Sequence, residues 1–155
     1  MFIRKMRLIF ILSILFCSTS FVINKMNSVD SIQTTIIIKN IRSTKGRFSI
    51  GAFKDASSFE KEKPYKSIWI SKKDVVNGTL KTNIHLDLGT YGLSLLDDEN
   101  SDTKMEYNMV GMPKEGFGFS NYYHSGFTKP NFKQFLVNIN ESDKSPIIFQ
   151  IRYIL

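Results

Sequence analysis

Asp98, Asn100 and Asp102 alternate as D-x-N-x-D within Asp97–Asn108 (DDENSDTKMEYN), and Glu106 and Asn108 follow closely. Oxygen-bearing side chains at alternate positions of a tight loop can converge on one centre. Calcium takes about six to eight oxygens at roughly 2.3–2.6 Å, from carboxylates, amides and backbone carbonyls. These five residues are therefore candidate metal ligands, with calcium as the candidate cofactor. A helix–loop–helix calcium loop does not fit. Counted from Asp98, the position that needs glycine is Thr103, the position that needs a bidentate glutamate is Met109, and no helical period flanks the segment. Two readings stay open: a loop site of another geometry at a strand end, and a solvated acidic turn built from ordinary turn residues.

Gly111–Tyr123 (GMPKEGFGFSNYY) is a glycine–aromatic segment. Phe117 and Phe119 are expected to anchor it by burial, since each aromatic ring removes about 150–250 Å² from water. Glu115, Ser120, Asn121, Tyr122, Tyr123 and Phe127 form the candidate ligand-binding loop, where exposed rings could stack on a glycan or on a partner's side chains. It is not a phosphate loop, because the G-K-[ST] ending and the strand–helix context are missing. The two histidines give no catalytic array. His85 falls on the polar side of an alternating run, and His124 neighbours Ser120 and Ser125 only in sequence. Carboxylate-pair hydrolysis needs one acid held protonated in a cleft. No catalytic residue is assigned, and a hydrolase is the least favoured reading.

Such residues need a scaffold, and the rest of the chain reads as short strands and turns. Gln33–Ile41 is β-branched, and Arg47–Lys54 alternates Phe48, Ile50 and Ala52 against Ser49 and Gly51. These two are expected to pair as a hairpin. Asp55–Lys61 opens on a helix-capping residue and suits one helical turn. Further strands are expected at Lys66–Ser71, Thr79–Leu86, Thr90–Leu96, Phe132–Ile139 and Pro146–Leu155. Residues 97–131 break the alternation and are expected to form one long ordered loop. About seven strands with frequent turns predict an all-β fold, an antiparallel β-sandwich of immunoglobulin-like or transthyretin-like kind. A small closed barrel is the alternative.

With 155 residues and 42% apolar composition, the chain suits a single domain. One Cys and two His exclude zinc-finger, redox-pair and disulfide chemistry. Arg4, Lys5 and Arg7, the apolar run Leu8–Phe16 and the small residues Ser18 and Ser20 read as a signal peptide over residues 1–20. The apolar run is too short for a bilayer span. Residues 21–31 then form a linker and 32–155 the domain. Cys17 could take a lipid, but the bulky Phe16 before it argues against that. Without residues 1–20 the chain has 18 basic and 14 acidic residues, or +4, with no basic cluster to engage nucleic acid. The expected address is exported: periplasm, cell surface or secreted. The expected partner is an extracellular or envelope protein or glycan.

The strings Gly51–Phe53 (G-x-F), Leu86–Tyr91 (L-x-x-G-x-Y), Asp98–Asn100 (D-E-N), Gly111–Asn121 (G-x-P-x-E-G-F-G-F-S-N) and Pro130–Phe132 (P-x-F) together resemble one exported bacterial family, domain of unknown function 2141. The resemblance runs from about residue 33 to the C-terminus, and the Gly111–Asn121 string is its most specific part. It implies a secreted β-sandwich domain of no established activity. Family members often carry D-x-N-x-N-G-K-x-D in the acidic loop. This chain keeps the oxygen ligands but has Thr103 in place of the glycine. The acidic loop and the G-x-P-x-E-G segment are expected to form one surface feature.

Overall fold

A computed structural model describes residues 31–154, so the signal-peptide, Cys17 and most of the linker expectations lie outside the described residues. Eight strands form two sheets. The first sheet has the order β4-β1-β8, from Thr79–Asp87, Ser31–Lys39 and Ile147–Gln150. The second runs β3-β2-β5-β6, from Lys66–Ser71, Arg47–Phe53, Gly89–Asp98 and Gly116–Phe119. Strand β7 (Leu136–Ile139) pairs with the first half of β5, beside the position that β6 takes along its second half. Every pairing is antiparallel except β1 with β8. The expected all-β sandwich is the observed fold.

The alternating residues fill the space between the sheets. Ile36 and Ile38 of β1, Leu80 and Leu86 of β4, Phe48 and Ile50 of β2, Leu93 and Leu95 of β5, and Phe149 of β8 are almost completely buried in one cluster. A strand with one buried face requires this period of two. The expected β1–β2 hairpin does not form. Ile36 and Ile38 face Phe48 and Ile50 across the sandwich instead of lying beside them, and the chain crosses between sheets through Asn40 (φ 63°) and Gly46 (φ 67°). Alternation tells which residues face inward; it does not tell which strand lies alongside.

Two more expectations need correction. Residues 132–139 are not one strand: Phe132–Phe135 is a 3-10 helix, and only Leu136–Ile139 is extended. Asn131 and Gln134 form a reciprocal capping box there, which satisfies the free backbone donors of a helical start. Residues 97–131 also contain a strand, β6 (GFGF). Its glycines face inward, where a Cβ on Gly116 would come within 2.7 Å of both Tyr153 and Ile151. The C-terminal segment fits this closely because no side chain intervenes. Mutual backbone hydrogen bonds between Phe117 and Arg152 then stitch it to β6. The short helix α1 (Ala56–Glu60) forms where expected, capped by Asp55, which accepts from the Ser58 N–H at 2.8 Å. Among the described residues no helix is long and apolar enough to cross a membrane.

Candidate functional site

The site lies on the outer face of the five-stranded sheet, at the end of β5. Asp97 pairs with Gly116, so the next residues outward, Asp98 and Glu115, stand side by side. On the other flank Asp98 pairs with Arg47 of β2. Consecutive strand residues point to opposite faces. Asp97 therefore turns into the sandwich, where it forms a buried ion pair with Lys72 and accepts from the Tyr153 hydroxyl. Burial still holds the Asp97 carboxyl above its ordinary value, against the opposing pull of Lys72 and Tyr153. Asp98 turns outward beneath the β5–β6 loop.

That loop returns a third carboxylate. Ser101 (φ 64°) and Thr103 (φ 75°) both take the left-handed region, and the chain curls so that Asp102 faces Asp98 and Glu115. A carboxylate oxygen from each of the three lies within 4.8 Å of the others. Asp98 is fully buried; its Oδ2 accepts from the Thr103 N–H at 3.2 Å and meets Arg47 Nε at 3.4 Å, while Oδ1 has no hydrogen-bond partner. Glu115 is 6% exposed, and neither of its carboxylate oxygens has a partner. Its pKa is pushed up to about 7, first by burial and then by the charges of Asp98 and Asp102. The backbone N–H groups of Glu106 and Glu99 pull it the other way.

The five expected metal ligands do not stay together. Asp98 and Asp102 converge with Glu115, which the sequence had placed in the ligand-binding loop. Asn100 braces the turn: its Oδ1 accepts from the Asp102 N–H at 2.9 Å and its Nδ2 donates to Asp102 Oδ2 at 3.1 Å. Glu106 and Asn108 are committed elsewhere. Glu106 pairs with Lys114 at 3.4 Å, and Asn108 Oδ1 accepts from Val110 and Met112 at the loop tip. The cross-strand position of Glu115 was the missing signal, since it depends on recognising β6.

The expected ligand-binding loop separates too. The Ser120 hydroxyl is buried and spent on Leu93 and Phe135 backbone. Asn121 exchanges two hydrogen bonds with the Ile148 backbone. Tyr122, expected to be exposed, is half-buried against the outer aromatic cluster. Tyr123 and Phe127 are 51% and 73% exposed. Of this set only Phe127 lines a trough of about 910 Å³ on the outer face, which reaches the acidic loop at Thr103, Lys104 and Met105.

Ser49, Gly51 and Ser94 are among the trough's lining residues on the two central strands, with Trp69 of β3 and Phe117 of β6 on either side. Trp69 and Ser94 fall within the strands expected at Lys66–Ser71 and Thr90–Leu96 with no role assigned to them, and Ser49 and Gly51 on the non-core side of theirs. Their alignment across three strands is a property of register. Three loops meet over the trough: Tyr107 donates to Glu62 Oε1 at 2.7 Å, and Lys129 reaches the same oxygen at 2.8 Å.

No curated protein and no solved structure matches the chain. One family model does, over residues 36–146, a range that contains both the acidic cluster and the trough floor. The chain thus belongs to the family described as uncharacterized protein conserved in bacteria (DUF2141), the family that its Gly111–Asn121 string resembles.

Proposed function

We propose that this is an exported, non-catalytic β-sandwich binding domain whose β5–β6 loop is ordered by a calcium ion held between Asp98, Asp102 and Glu115. The observation that carries the reading is Glu115, a buried carboxyl with no hydrogen-bond partner, set directly across from Asp98. Like charges opposite each other on neighbouring strands are destabilising, and an unpaired buried charge is more so. Arg47 reaches only Asp98 among the three. A divalent cation would neutralise the group and occupy the free lone pairs. Three carboxylates on one strand end, one neighbouring strand and a curled loop form an irregular, all-oxygen set. Calcium tolerates such a set with waters completing its shell, whereas magnesium demands a near-ideal octahedron.

Export rests on the composition of residues 1–20. The non-catalytic reading rests on the histidines: His124 engages the Thr128 carbonyl through Nε2, and His85 lies exposed on β4. The test is a thermal melt of purified protein stripped with chelator and then titrated with calcium, with magnesium in parallel. At about 100 times its dissociation constant a native-state ligand adds roughly 2.7 kcal/mol. A calcium-specific rise in Tm is expected, and Glu115→Gln should abolish most of it. A flat titration to millimolar calcium overturns the reading and leaves the loop a solvated acidic turn.

A further inference from the structure

The trough has no part in the cation reading and carries an inference of its own. We propose that it is a binding site for a neutral saccharide chain, with Trp69 as its stacking platform. Its width is set by the sheet. The β3 and β6 walls are three strand spacings apart, or roughly 14 Å, and between them the central strands present Ser49 and Gly51 of β2 and Ser94 and Leu96 of β5. The volume of about 910 Å³ lies in the range of small-ligand sites. A sugar ring presents an apolar C–H face and a rim of hydroxyls. The walls offer aromatic surface to the first: Trp69 lines the trough and is 43% exposed, with the Arg47 guanidinium stacked on one face of its ring at 4.0 Å and the other face left for a sugar. The floor offers hydroxyls to the second.

Those hydroxyls decide among ligand classes. Ser49, Ser67 and Ser94 all line the trough, and none of their side chains makes a hydrogen bond to another described residue. A purely apolar occupant, such as an acyl chain, would strip water from three hydroxyls and return nothing, which polar groups resist. A sugar replaces that water group for group. A peptide strand could not pair with the floor, because the floor is a sheet face whose backbone donors and acceptors are used in its own ladders. The rim favours a neutral ligand as well: its two carboxylates, Glu60 and Glu62, are matched in number by two ammonium groups, Lys104 and Lys129, and Glu62 is held directly by Lys129 and Tyr107.

Trp69 is the single tryptophan of the chain, so its fluorescence reports on the trough directly. The purified protein is titrated with three neutral trisaccharides (β-1,4-linked glucose, α-1,4-linked glucose, β-1,4-linked N-acetylglucosamine), and with a medium-chain fatty acid as the apolar control. Each titration is run in chelator and in calcium, so that a failed cation site is told apart from a failed trough. At least one trisaccharide should shift Trp69 emission saturably, with calorimetry giving the same dissociation constant. The double substitution Ser49→Ala/Ser94→Ala, which removes two floor hydroxyls and no packing, should weaken binding at least tenfold at unchanged Tm. Trp69→Phe should weaken it similarly by calorimetry. No binding of any trisaccharide up to about 10 mM, binding of the fatty acid alone, or trisaccharide binding indifferent to both variants overturns the proposal.

Discussion

At the scale of single residues the acidic loop is shaped by Thr103 and burdened by Glu115. Thr103 holds φ at 75°, where a β-branched side chain is strained by roughly 1–2 kcal/mol. Its N–H donates to Asp98, a bond that helps hold the loop in this backbone without a glycine. Thr103→Gly preserves that N–H and removes the strain, partly offset by a floppier unfolded chain. It should stabilise the protein by about 1 kcal/mol, read as a higher urea midpoint at constant m-value. Glu115 gives a pH signature. Its carboxyl ionises near 4.5 when unfolded and near 7 when folded. Between those values the folded chain holds a proton that the unfolded chain has released, so stability falls as pH rises. In chelator, a loss on the order of 1–3 kcal/mol is expected between about pH 4.5 and 7, levelling off above. Glu115→Gln should flatten that slope. A wild-type profile that rises over this window would show that other groups dominate.

At the scale of elements, β5 carries most of what the sequence could and could not reveal. Its inward residues Tyr91, Leu93 and Leu95 were legible from alternation alone, as were α1 from its Asp55 cap and β3 at its observed limits. Its last two residues were not. Asp97 and Asp98 look like the start of an acidic loop, yet both are buried in the strand. What lets a strand end on two buried carboxylates is the supply of cations from elsewhere, Lys72 to the inside and Arg47 to the outside, and no local pattern announces a partner that distant. Strand β6 was hidden for a related reason: glycine suits strands poorly, and Gly116 is needed only because Tyr153 packs where its side chain would be. The Lys72–Asp97 pair yields a sharp expectation. Removing one partner leaves a buried charge unpaired, which costs about 3–5 kcal/mol. Lys72→Met should lose that much in chemical denaturation, Asp97→Asn should lose heavily too, and the double variant should be clearly more stable than the sum of the two predicts.

At the scale of the molecule, the five-stranded sheet packs a core against its inner face and a second, smaller one against part of its outer face. The inner core joins the sheets. The outer one is aromatic and sits at the end of β5 away from the acidic cluster, built from Phe53, Phe59, Phe119 and Phe135 with Phe117, Tyr122 and Phe132 against them. Phe59 is its hub, with ring centroids 5.0–6.1 Å from those of Phe53, Phe119, Phe132 and Phe135. Gly92, which lies under Phe132 and Phe135, is six residues from Asp98 along β5, a separation of about 20 Å at the rise of an extended strand. Perturbations that far apart add unless something rigid joins them. Above the sheet, the gap is crossed by Phe117, which packs on Phe119 and stands two residues from Glu115, and by the loops held by the Tyr107–Glu62–Lys129 clasp. Phe59→Leu shrinks the hub without emptying it and should cost on the order of 1–3 kcal/mol. Combined with Glu115→Gln, two outcomes are distinguishable. If the clasp is a surface contact, the two effects add, and calcium raises the Tm of Phe59→Leu by as much as it raises wild type. If the clasp transmits, Phe59→Leu weakens calcium binding, and Tyr107→Phe, which removes one hydrogen bond at the roof, reproduces that weakening at little cost in stability. Exposed pairs such as Lys129–Glu62 contribute about 0–1 kcal/mol, too little to lock two sites together. Additivity within about 0.5 kcal/mol is therefore the expected result, with the sheet, not the roof, fixing the acidic cluster.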